Sequence, residues 1–138
     1  MQQNTQGAVT SYRANGSQLA VENADPHKLI DMLLERAIGR LAAARGLMER
    51  GVAHGRGEHI SSAMAIVAAL QSSLDHEQGG SLSSRLDALY DYMSRQLIKA
   101  NISNDVRCVE EVSDLLREIR TGWQGIKPSP PPQTSLSA

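Results

Sequence analysis

The chain has 138 residues and a mass of 14.9 kDa, with 14 Lys and Arg against 15 Asp and Glu, so it is of single-domain size and close to neutral. That balance excludes the strong positive field on which non-specific binding to nucleic acid or to anionic membrane depends. The single cysteine, Cys108, excludes an intrachain disulfide framework, and the absence of Phe leaves a core built from Leu, Ile, Val, Met and Ala.

Residues 1–24 are rich in Gln, Asn, Ser and Gly, with Tyr12, Leu19 and Val21 as spaced apolar points, and read as a mobile or short-helical N-terminal arm. Met1–Gln6 carries no basic or apolar signal region, and nowhere do about 18 apolar residues run together. The expectation is a cytosolic chain without membrane insertion.

Asp25-Pro26 is a helix start with a mechanism, since Asp accepts orphan N–H bonds as N-cap and Pro at the first helical position loses no needed donor. A first helix is expected over about Pro26 to Met48, its apolar set running from Leu29 through Leu33, Leu34, Ala37 and Leu41 to Met48. Gly51, Gly55 and Gly57 punctuate the chain before a second stripe of Ile60, Ala63, Met64, Val67, Leu70 and Leu74. Gly79-Gly80 is read as its end. Gln71, inside that stripe, is expected to reach outward at its edge.

A third helix follows, with Leu82, Leu86, Leu89, Met93, Leu97 and Ala100 in a near-heptad repeat up to Asn101. Ser103-Asn104-Asp105 supplies cap chemistry for a fourth, whose stripe is Val109, Val112, Leu116, Ile119 and Trp123. Four prolines at Pro128, Pro130, Pro131 and Pro132 forbid further helix. The expected organisation is an arm over 1–24, an all-α antiparallel four-helix bundle over 25–126 and a Pro-rich tail over 127–138.

Catalytic chemistry finds little support in these residues. No Glu has a His three positions later, as bundle di-metal sites require, and neither a P-loop nor a dinucleotide fingerprint is present. No cofactor or metal is expected. Cys108 flanks an apolar stripe and reads as a small core side chain, and Trp123 as a plug at the bundle end. A histidine phosphotransfer or other signalling module is the alternative, with His59 as the acceptor. The apolar residues outside the stripes favour a binding module instead. With Leu82 at zero, Ile98 lies near about 160°, and Tyr90 and Tyr92 near about 80° on opposite flanks. On the first helix Met32 points away from the stripe, so apolar surface outside the core is expected there as well.

The strings Ala24-Asp25-Pro26-His27-Lys28-Leu29-Ile30, Leu74-Asp75-x-x-x-Gly79-Gly80, Leu86-Asp87-x-Leu89-Tyr90-Asp91-Tyr92-Met93, Ala100-Asn101-x-x-Asn104-Asp105 and Leu116-Arg117-Glu118-x-Arg120-x-x-Trp123 occur in this order. Over about residues 12 to 126 the chain resembles the FliS family of flagellar export chaperones. One departure is Leu34-Glu35-Arg36-Ala37, where the family usually has an aromatic-acidic-Gly step.

The resemblance implies a cytosolic, non-enzymatic bundle that binds the C-terminal segment of flagellin, prevents premature polymerisation and keeps it competent for flagellar type III export. The export gate is a further expected contact, and the chain itself is expected to be a monomer or weak homodimer. The resemblance also implies that the arm around Tyr12 occupies part of the client groove when the client is absent. Tyr12, Tyr90, Tyr92, Ile98, Asn101 and Asn104 are the expected partner-binding residues, as apolar anchors or amide partners of client backbone. Asp75 is expected to stabilise the Gly-Gly turn.

Overall fold

The structure, a computed structural model, describes residues 25–126, which form α1 (Pro26–Glu49), α2 (Arg56–Ser72), α3 (His76–Ser103) and α4 (Val106–Gly125). The arm with Tyr12 and the Pro-rich tail lie outside the described residues. Helix α1 packs against α2 and α4, and α3 packs against the same two, so the four helices stand at the corners of a square. Cross-contacts fix their directions. The start of α1 meets the end of α4 through His27 and Trp123, and the start of α2 meets the end of α3 through Arg56 and Asn104. This is the expected all-α antiparallel four-helix bundle.

Each helix begins and ends for local reasons. Asp25 caps α1 by accepting from the Lys28 amide at 2.7 Å, with Pro26 at the first position. The helix stops where Gly51 takes φ 71°. The Gly51 amide then donates to Met48 O at 3.2 Å and the Val52 amide to Leu47 O at 2.8 Å, the paired bonds of a Schellman turn. At the end of α3 the left-handed position is filled by Asn104, φ 52°, and Asp105 then caps α4 through the Arg107 amide at 3.0 Å.

The α2–α3 junction differs from the sequence expectation. Helix α2 ends at Ser72 rather than at Gly79-Gly80, and Asp75 caps a new helix by accepting from the Glu77 and Gln78 amides, both at 3.1 Å. The glycine pair lies inside α3. Gly80, at φ 54° and ψ −128°, breaks it after one turn. A Cβ on Gly79 would stand 1.9 Å from Ser83 Oγ, and that hydroxyl donates to Asp75 O at 3.0 Å, so glycine is required for the close approach.

The core is aliphatic, with Leu34, Leu41, Ile60, Ile66, Leu70, Met93, Leu97 and Leu116 as its largest fully enclosed side chains. Ile66 and Ala69 belong to it although neither was in the expected stripe, because α2 touches α1 and α3 and so buries a wide arc. Two expectations are corrected. Leu82 is 52 % exposed: it follows the Gly80 break, and Ser83 beside it takes the buried position. Met32 is half-buried against the core rather than turned to solvent. Among the described residues no helix is long and apolar enough to cross a membrane.

Candidate functional site

The α3 surface carries most of the expected partner-binding residues, and the fold separates them. Tyr90 is 4 % exposed and packs in the core, where burial pushes its phenol up to about 12. It is out of reach of a partner unless neighbouring helices move. Ile98 is 47 % exposed, and Ile102, one turn later, is 80 % exposed. The two form an apolar pair on the outer face of α3. Ile102 was missed because the helix was expected to stop at Asn101, whereas it runs to Ser103. The signal was available, since Ile102 falls at about 200° on the wheel that places Ile98 at about 160°.

Asn101 and Asn104 stand at the end of α3, facing the start of α2. Arg56 reaches across from α2, donating from Nη2 to Asn101 O at 3.3 Å and from Nη1 to Asn104 Oδ1. A Cβ on Gly57 would lie 3.7 Å from Asn101 Oδ1, an ordinary van der Waals distance, so the amide stands beside the first turn of α2. Asn104 thus has a backbone task, ending α3, and a side-chain task, holding Arg56.

Tyr92 faces the opposite seam, towards α4. Its hydroxyl donates to the Glu111 carboxylate, 2.9 Å from Oε1 and 2.8 Å from Oε2, and Gln96 Nε2 donates to Oε1 of the same group at 2.9 Å. The Glu111 hydrogen bond raises the Tyr92 phenol above its ordinary range. Below them Cys108 is buried, and burial pushes its thiol up, the opposite of what a reactive cysteine needs. Gln96, Lys99, Asp105, Arg107, Cys108 and Glu111 line a shallow pocket of about 320 Å³ between α3 and α4. Glu111 was not legible beforehand, because its role depends on how α4 is rotated against α3.

The remaining polar contacts are structural ties. Gln71 turns to α3, where Nε2 donates to Asp87 Oδ1 at 2.9 Å. Trp123 stacks on His27 with ring centroids 4.6 Å apart, and its Nε1 donates to His27 O at 2.8 Å, closing one end of the bundle. Arg40 Nη1 donates to His59 Nδ1 at 3.0 Å. A guanidinium has only donors, so that ring nitrogen is an acceptor held at the α1–α2 seam. Among the described residues no group of three His, Cys, Asp or Glu is placed to hold a metal ion.

One turn into the bundle from the stacked pair, Arg120 Nε donates to Asp31 Oδ1 at 2.9 Å and Nη2 lies 3.8 Å from Glu35 Oε1. The Arg120 hydrogen bond holds the Asp31 carboxyl below the usual aspartate range. Folding therefore favours ionised Asp31. This stability is present above the unfolded value of about 3.9 and is lost as pH falls through the lower folded value. Asp31→Asn is expected to lower the melting temperature at pH 7, with the gap to the parent closing below about pH 4. Parallel thermal melts at a series of pH values descending from 7 check it, and a gap that does not narrow as the pH falls contradicts the assignment.

The family model for the flagellar protein FliS matches residues 8–130, nearly the whole chain and every element of the bundle. The chain belongs to the FliS family. It is similar to the flagellar secretion chaperone FliSB of Pseudomonas aeruginosa, at 43% identity over 119 residues, covering 86% of this chain and 94% of that protein. It is also similar to the flagellar secretion chaperone FliS of Salmonella typhimurium, at 39% identity over 125 residues, covering 90% and 93%. To the Bacillus subtilis FliS the identity is 29% over 119 residues. In this FliS-family chain the string Leu34-Glu35-Arg36-Ala37 divides between two tasks. Leu34 is fully enclosed in the core, whereas Glu35 is exposed and lies near Arg120.

Proposed function

We propose that the chain is a non-enzymatic cytosolic chaperone that binds the C-terminal segment of flagellin, prevents its premature polymerisation and keeps it competent for flagellar type III export. The observation that carries this reading is the family match over residues 8–130, together with relatives named as flagellar secretion chaperones. The surface is compatible with it. Ile98 and Ile102 offer apolar anchors along α3, Asn101 and Asn104 offer amides at its end, and Tyr92 stands at the α3–α4 seam. Tyr12 in the arm and Tyr90 complete the proposed contact set, Tyr90 only after the core beside it opens. A client segment that folds as it binds gives up part of its interaction energy to ordering, which leaves it releasable for export. The export gate is proposed as the site of that release, with the chaperone as monomer or weak homodimer.

Seeded polymerisation of purified flagellin tests the proposal. With one equivalent of the chain added, the sedimenting fraction is expected to fall in proportion to the chaperone present. An unchanged sedimenting fraction at a several-fold excess overturns the reading.

A further inference from the structure

The Glu111 carboxylate is the meeting point of two α3 side chains, the Tyr92 hydroxyl at 2.8 and 2.9 Å and the Gln96 amide at 2.9 Å. Glu111 itself is exposed on α4, where no core contact demands a carboxylate. Gln96 Nε2 also lies 3.7 Å from Cys108 Sγ, so the same amide spans the floor and the rim of the α3–α4 pocket. The rim carries both signs, with Lys99 and Arg107 against Asp105 and Glu111, so it has no net preference for an ion. What it fixes is direction. A free tyrosine on a helix surface samples several rotamers, whereas a hydroxyl shared between both oxygens of one carboxylate confines the ring to the seam.

We propose that Glu111 is a positioning residue for client binding, holding Tyr92 and Gln96 in the orientation in which they meet the flagellin segment. The proposal rests on the chaperone reading above. Glu111 acts through its two α3 partners, so the ordering of Tyr92 is completed before the client arrives and is not charged against its affinity. A carboxylate that merely stapled α3 to α4 would contribute to folding and leave binding unchanged.

The test measures flagellin affinity by titration calorimetry for the parent, Glu111→Ala, Glu111→Gln and Tyr92→Phe, and for Glu111→Ala combined with Tyr92→Phe. Glu111→Ala is expected to weaken binding about tenfold, the scale of one charge-assisted hydrogen bond. Glu111→Gln keeps an acceptor for the Tyr92 hydroxyl and is expected to recover part of the loss. In the Tyr92→Phe background, removal of Glu111 is expected to cost much less than in the parent, because the two act as one unit. Alkaline absorbance titration gives a client-free readout. One phenol of the three tyrosines titrates at lower pH in Glu111→Ala than in the parent, since the bond that raises Tyr92 is gone. Parent binding with unchanged affinity in Glu111→Ala, or strict additivity with Tyr92→Phe, overturns the positioning role alone. A parent that does not bind flagellin overturns the chaperone reading with it.

Discussion

Leu34→Ala is expected to destabilise the bundle by about 3–4 kcal/mol, within the range for leucine truncation at sites that cannot collapse. Leu34 has no exposed surface and sits among the largest enclosed side chains, on a helix packed against both α2 and α4. Rigid helices on two sides prevent the cavity from closing, so both the lost transfer energy and the void are felt. For a domain of this size the thermal midpoint is expected to fall by about 10 °C or more. Leu82→Ala is the control. Leu82 is 52 % exposed, and its truncation is expected to stay within about 0.5 kcal/mol although the sequence places both leucines in the apolar stripes of their helices. Urea melts of the two variants separate the cases, and equal losses contradict the assignment of the core.

The second large effect concerns binding. Ile98→Asp combined with Ile102→Asp is expected to weaken flagellin binding by at least about thirtyfold, equivalent to roughly 2 kcal/mol for the loss of a central anchor. Both side chains are exposed and one turn apart, so the double substitution removes an apolar strip without opening the core. The melting temperature is therefore expected to stay within a few degrees of the parent. That separation of affinity from stability distinguishes a docking face from a scattered pair of surface isoleucines. Calorimetric titration alongside a thermal melt checks it, and parental affinity in the double variant removes this face from the contact set.

What could be read from the sequence follows the range of the interactions involved. Asp25-Pro26, Gly51 and Asp105 act through bonds to residues two to four positions away, and the helices they bound fall where local chemistry places them. The α2–α3 junction went astray because a glycine pair is a strong breaker in sequence, while Asp75 four residues earlier supplied the actual cap. Gly80 breaks the chain, but inside α3. Leu82 and Met32 were misplaced for a related reason. A wheel assumes an unbroken helix and counts only its apolar stripe as buried, whereas Gly80 breaks α3 just before Leu82, and Met32 packs against the core from outside the α1 stripe. The proposed binding face was half legible: Ile98 stood out as an apolar residue opposite the stripe, and Ile102 was lost to an early helix end. The Tyr92–Glu111–Gln96 cluster could not be read at all, since the rotation of α4 against α3 is set by the whole core.

Isothermal titration of the chain with flagellin from the same cell, beside flagellin lacking its last forty or so residues, tests the central claim most directly. A saturable one-to-one isotherm with intact flagellin, abolished by the truncation, is the expected result. Equal binding of both forms would move the contact away from the C-terminal segment, and binding of neither would contradict the chaperone assignment for this chain.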